Sequence, residues 1–237
     1  MTRRLLPVLL TSLGLGLGLG ACGSSDSSGT TSGSVATTAA KTASTPAAAA
    51  PARICPPAEA QKAIKRTAKK PTSRLDPART WVVRMKTSCG DFEITLDVKA
   101  HPVTASSFGA LAKAGFYDGL GVVRVVPGFV LQAGDPNGDG TGDAGYQVVE
   151  PPGNNAAYRK GVIAMAKTGA DPAGASSSQF FVVTGPDAGL PPDYAIAGRV
   201  TKGLDVAEKI GSIPPAGPDP SPPVEPVVIE KATLASK

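Results

Sequence analysis

A single arginine, Arg124, interrupts the apolar run Val122-Val123-Arg124-Val125-Val126, and a single amide, Gln132, interrupts the next, Phe129-Val130-Leu131-Gln132-Ala133. Pro127-Gly128 lies between them, so the segment reads as a strand, a tight turn and a second strand. Gly134-Asp135 follows, and 47 residues after Gln132 a third run, Gln179-Phe180-Phe181-Val182-Val183, again sets an amide beside aromatic and β-branched residues. A guanidinium on an otherwise apolar sheet face is always charged and presents a rigid fork of donors. It suits hydrogen bonding to charge or to a lone pair that develops only in a transition state. Covalent chemistry has no such support. His101 is the only histidine, it adjoins Pro102 where a helix is expected to start, and no Ser or Cys sits in an elbow motif. Asp135-Pro136-Asn137-Gly138-Asp139-Gly140 opens like an EF-hand calcium loop, but its twelfth position is Tyr146 rather than a bidentate Glu. No metal or other cofactor is expected.

The runs around Arg124 and Gln179 together resemble the two signature segments of the cyclophilin family of peptidyl-prolyl cis-trans isomerases. The resemblance covers about Trp81 to Ala232. It implies a closed eight-stranded antiparallel barrel capped by two α-helices, with the site on the outer face, and isomerase activity on X-Pro bonds (EC 5.2.1.8 class). Arg124 takes the position of the catalytic cation, with Phe129 and Gln132 beside it. Phe129, Val130, Phe181 and Leu190 match the residues that line a proline cup. Gln132 would contact the substrate backbone, and its amide could orient Arg124. Ala166 and Lys167 match a segment that pairs with the substrate main chain, Gln179 matches the glutamine beside it, and Tyr194 stands where the family has a histidine. The departures are specific. Val122 and Val123 replace a Phe-His pair, Gly189 replaces a rim tryptophan, Lys167 an asparagine and Ala197 a phenylalanine. The cup is therefore expected to be shallower and less aromatic. These departures keep a second reading open, a module that binds Pro-containing segments with little turnover.

The elements that must position these residues are short. Trp81 to Lys86 and Phe92 to Leu96 alternate like strands around the hairpin signal Thr87 to Asp91. Pro102 to Ala114 carries Val103, Phe108, Leu111 and Ala112 near one helical face, with Pro at the first position and Gly115 as a stop. A Gly/Asp loop, Asp135 to Gly145, comes after the central pair of strands. Gly161–Ala166, Gln179–Val183 and Tyr194–Val200 read as further strands, Leu204–Ile210 as a second helix, and Pro226–Leu234 as the last strand. Many short strands with only two helices favour an antiparallel barrel with helices at its ends, so the fold class is mainly β.

The chain divides into residues 1–22, 23–52, 53–80 and 81–237. In the first part Arg3 and Arg4 precede the apolar stretch Leu5 to Leu19, and Leu19-Gly20-Ala21-Cys22 looks like a bacterial lipobox whose Cys22 is lipidated. Residues 23–52 are Ser, Thr, Ala and Gly with almost no large apolar side chain, a composition expected to stay a disordered tether of roughly 30 Å reach. A lipid-anchored monomer on the extracytoplasmic side of the cell membrane follows as the expected location. With Cys22 acylated, Cys55 and Cys89 remain as a candidate disulfide, two free thiols being the alternative. The net charge of +5 is unevenly spread. Residues 53–79 stand at +6, whereas the chain from Thr80 onward stands at −3. A basic run of this kind reads first as a solvated face and next as weakly attracted to anionic head groups or wall polymers. No aromatic residue interleaves with the charges, so no nucleic-acid partner is expected. Pro-containing polypeptides are the expected substrates.

Overall fold

The computed structural model describes residues 52–237. The segments read from sequence as a signal peptide with its lipidation site Cys22, and as a tether except for Ala52, lie outside the described residues.

Ten strands and two helices follow the order β1 (Trp81–Thr87), β2 (Gly90–Leu96), α1 (Pro102–Lys113), β3 (Val122–Val126), β4 (Val130–Ala133), β5 (Val148–Val149), β6 (Val162–Met165), β7 (Ala175–Ser176), β8 (Phe180–Val183), β9 (Ile196–Lys202), α2 (Leu204–Gly211) and β10 (Ile229–Ser236). Eight of the strands form one antiparallel sheet in the order β10-β1-β2-β9-β6-β8-β4-β3, and β5 pairs with β7 in a small second sheet. The alternation read in β1 and β2 places Val83, Met85, Phe92, Ile94 and Leu96 in the main core. Helix α1 adds Phe108, Leu111 and Ala112. Its first N–H groups are not capped by His101; the Glu150 carboxylate accepts from Val103 and Thr104 at 3.0 and 2.8 Å. Phe108, Tyr117 and Phe180 pack within the core at centroid distances of 5.2–5.5 Å.

The central strands β6 and β8 are apolar on both faces, and β4 is so except at Gln132, which is why they read as hydrophobic runs. Leu131, Ile163, Phe180 and Val182 point into the main core. Their alternates Val130, Val162, Ala164, Phe181 and Val183 form a second buried cluster on the outer face. The Pro127-Gly128 turn sets the register between β3 and β4: Gly128 has φ +72° and the Phe129 N–H bonds the Val126 carbonyl at 3.0 Å. Pro at the second turn position and a positive-φ Gly at the third are the requirements of a type II turn.

The closed barrel implied by the resemblance is corrected to a curled, open eight-stranded sheet. Its end strands β10 and β3 share no ladder. Only the bridge Gly121–Val228 and backbone bonds of Gly119, Leu120 and Val122 to residues 227–229 span the gap, all of them at or just ahead of the first residues of the two strands. Farther along β3 the edge is already taken, because the Val125 N–H donates to the Ser221 carbonyl of a Pro-rich hairpin. The same contacts delay the last strand to Ile229, since Val227 and Val228 are engaged with residues 121–122. Strand β9 starts at Ile196 rather than Tyr194, whose N–H is held by the Tyr158 hydroxyl at 2.9 Å.

Residues 53–80 contain no helix or strand, yet they are strapped to the body. The N–H groups of Ile64 and Ala68 bond the carbonyls of Pro136 and Ala144, each at 2.8 Å. The Gln61 side chain donates to the Asp135 and Pro136 carbonyls and accepts from the Gly121 N–H. Arg66 donates to the Phe116 and Asp118 carbonyls at 2.6 and 2.7 Å. Ile54, Ile64, Ala68 and Leu75 pack against the main core. Cys55 and Cys89 are joined in a disulfide with Cα atoms 5.0 Å apart, tying the strap to the β1–β2 hairpin.

Candidate active site

Strand register alone collects the central site residues. Arg124 of β3 lies opposite Gln132 of β4, Gln132 opposite Phe181 of β8, and Phe181 opposite Ala164 of β6. These four form one row across four strands on the outer face. The inward row, Val125-Leu131-Val182-Ile163, backs it from the core. Around the outer row a cleft of about 230 Å³ is lined by Arg124, Phe129, Val130, Gln132, Ala166, Lys167, Phe181, Leu190 and Tyr194. Of the residues that sequence proposes for catalysis and substrate contact, Gln179 alone is absent from this lining. It sits in an adjoining polar recess that shares Gln132, Ala166 and Lys167 with the cleft.

The floor is apolar and braced. Phe181 is buried, with Tyr194 edge-on to it at 5.5 Å and Tyr158 at 6.4 Å. The Tyr158 hydroxyl donates to the Tyr194 carbonyl at 2.8 Å while accepting from the Tyr194 N–H, so one buried side chain fixes the loop that forms this wall. At the rim Gly189 is exposed and a Cβ there would meet nothing within 4 Å, in keeping with a shallow cup.

The polar groups are oriented differently from the sequence expectation. Gln132 does not hold Arg124. Its Nε2 donates to the Gln179 Oε1 at 2.8 Å, and Gln179 in turn donates to the carbonyls of Gly140 and Gly142. Arg124 is held instead by Asp219, from Nε at 2.5 Å and from Nη2 at 2.8 Å. These bonds raise the pKa of the guanidinium and lower that of the Asp219 carboxyl. The Arg124 guanidinium carbon lies 6.0 Å from the centroid of the Phe129 ring. Among the described residues its Nη1 has no protein partner.

Lys167 supplies a second cation, but its donors are occupied. The side chain is only 6% exposed, and Nζ reaches Asp193 at 2.6 Å and the Asp171 carbonyl at 3.3 Å. It also lies 5.5 Å from the centroid of the Tyr194 ring. Asp219, Tyr158 and Asp193 were not legible as site residues: each acts on a residue far away in sequence, and none sits in a motif. The Asp135 carboxylate of the EF-hand-like loop accepts from the N–H groups of Asn137, Gly140 and Gly142, so its oxygens brace the loop. Among the described residues no group of three His, Cys, Asp or Glu side chains is arranged to hold a metal ion.

Residues 82–234 match the family described as cyclophilin type peptidyl-prolyl cis-trans isomerase. Peptidyl-prolyl cis-trans isomerase B of Bacillus subtilis is 42% identical over 121 residues, covering 51% of this chain and 82% of that protein. Peptidyl-prolyl cis-trans isomerase ppi1 of Schizosaccharomyces pombe is 36% identical over 156 residues, covering 63% of this chain and 96% of that protein. A crystal structure of a cyclophilin-type isomerase from Cryptosporidium parvum, obtained in the presence of the dipeptide Ala-Pro, superposes with a TM-score of 0.59 at 25% identity. It covers 66% of this chain and 99% of that one.

Proposed function

The chain belongs to the cyclophilin-type peptidyl-prolyl cis-trans isomerases, and on that premise we propose that the cleft around Arg124 is where it rotates X-Pro bonds, in exported proteins folding outside the membrane. The reaction breaks no covalent bond. Its obstacle is amide resonance, a barrier of about 18–20 kcal/mol with a lifetime of tens to hundreds of seconds. Acceleration by roughly five decades asks for about 7 kcal/mol of stabilisation specific to the twisted state. In that state the prolyl nitrogen pyramidalises and gains a lone pair. Arg124 donates to it through Nη1, favouring the twisted form over either planar isomer. Phe129, Val130, Phe181 and Leu190 hold the pyrrolidine ring. Gln132, kept in place by Gln179, contacts the flanking main chain along with Ala166 and Lys167.

The observation that carries this reading is the register row, which sets Nη1 of Arg124, unpaired among the described residues, beside a cleft of about 230 Å³ walled by Phe129, Val130, Phe181 and Leu190. A protease-coupled assay on a short X-Pro peptide tests it. Wild type accelerates cis-to-trans conversion and Arg124→Ala returns it toward the solvent rate; equal rates in the two would leave only a Pro-binding module.

Export rests on the lipobox-like Leu19-Gly20-Ala21-Cys22 and on the disulfide, which suits an oxidising compartment. The protein is a monomer anchored through acylated Cys22, with residues 23–52 as its leash. Cys22→Ser is expected to move it from the membrane fraction to the soluble fraction of the host cell. Unchanged fractionation would remove the anchor.

A further inference from the structure

Arg124 has a keeper outside the motif that contains it. Asp219 stands in the Pro-rich hairpin 214–224, which is closed on itself by the bonds from the Ala216 N–H to the Pro222 carbonyl and from the Val224 N–H to the Pro214 carbonyl, each 2.8 Å. That hairpin is pinned to β3 one residue from the arginine, by the Val125 N–H to the Ser221 carbonyl at 3.1 Å, and Ser221 is buried. The carboxylate is thus delivered by a fixed backbone and not by a loose loop.

The geometry points to Asp219 as the positioning residue of Arg124, holding the guanidinium so that Nη1 stays free for the prolyl nitrogen. This rests on the catalytic role given to Arg124 above. A side-on pair through Nε and Nη2 occupies one edge of the planar fork and leaves Nη1 on the other. An unrestrained arginine carries about 2 kcal/mol of rotamer entropy, so an orienting partner matters for a group that must act in a transition state. Gln132 cannot serve, because its amide donor is committed to Gln179. Nor should the carboxylate quench the cation. The Asp219 side chain is 52% exposed, so the high dielectric of the adjoining water weakens its field, while the two hydrogen bonds that orient the fork persist.

The test compares wild type with Asp219→Ala, Asp219→Glu, Arg124→Ala and the Arg124→Ala/Asp219→Ala double variant. The hairpin keeps its own backbone bonds, and the Asp219 side chain bonds nothing else among the described residues, so these variants should fold. Asp219→Ala is expected to lower kcat about tenfold with KM within twofold, and Asp219→Glu to recover part of the loss. The double variant should be no slower than Arg124→Ala alone. In NMR spectra the slowly exchanging Arg124 Nε–H signal of the wild type should broaden away in Asp219→Ala. An Asp219→Ala enzyme as fast as or faster than an active wild type overturns this assignment alone, as does a double variant slower than Arg124→Ala. A wild type no faster than solvent overturns it together with the isomerase mechanism.

Discussion

The cleft and the strap use charge in opposite ways. In the cleft each cation has a carboxylate: Arg124 has Asp219 and Lys167 has Asp193. Along residues 53–79 none of the eight cations reaches a carboxylate at salt-bridge distance among the described residues. There the hold comes from backbone N–H groups, from Gln61 and Arg66 bonding main-chain carbonyls, from small apolar side chains and from the disulfide. Carboxylates thus fix the cations of the cleft, whereas those of the strap either face water or, like Arg66 and Lys70, bond main-chain carbonyls. Within the cleft the two cations divide again. Arg124 keeps a donor free, and the buried ammonium of Lys167 spends its donors on a wall.

If that division is right, cleft and strap substitutions should separate activity from stability. The largest effect belongs to Arg124→Ala. Removing one donor that stabilises a developing lone pair costs about 3–4 kcal/mol, or 10²–10³-fold in kcat/KM. Its ion pair is partly exposed, so stability should fall by no more than about 1 kcal/mol. Peptide kinetics and a melting curve on the same sample check both halves, and a large loss of stability would blur the contrast.

The strap should show the converse. Cys55 and Cys89 are 34 residues apart, and closing a loop of that length contributes about 3–4 kcal/mol in the chain-entropy account. Replacing both by Ala is expected to lower Tm by roughly 6–15 °C for a domain of this size. The kcat/KM at 25 °C should stay within twofold of wild type. Activity lost well below the melting transition would break the comparison, because the strap would then be supporting the cleft.

How far each region could be read from sequence follows from the same physics. Arg124 and Gln132 were legible as neighbours because a strand repeats every two residues and the Pro127-Gly128 turn pins their register, whereas Phe181 joined them only through the resemblance of the two segments to the cyclophilin family. The apolar runs of β6 and β8 were equally plain, being covered on both faces. Asp219 was hidden, since its bond to Arg124 spans 95 residues and its Pro-rich surroundings read only as a connection. The strap showed its charge but not its path, because its partners are main-chain carbonyls that no side-chain pattern announces. Strands β5 and β7, two residues each, are too short for any period to register. The open edge between β10 and β3 depends on the hairpin at Ser221, again a backbone contact.

Acidification offers the finest separation. Glu93 on β2 lies in neither region, and Arg84, Lys202 and Lys237 surround it at 2.9–3.3 Å. Hydrogen bonds from Arg84, then Lys202, then Lys237 bring its pKa down to about 2. A carboxyl depressed on folding adds stability that is complete above the unfolded value of about 4.3 and is lost as pH falls toward 2. Melting curves for wild type and Glu93→Gln should therefore differ above about pH 5 and converge toward pH 2. The change is small because all three cations are well exposed to water. Since Glu93 touches no residue of the cleft, its substitution should leave the effect of Asp219→Ala on kcat at neutral pH unchanged. Coupling between the two would mean that the sheet, and not only the hairpin, sets the posture of Arg124.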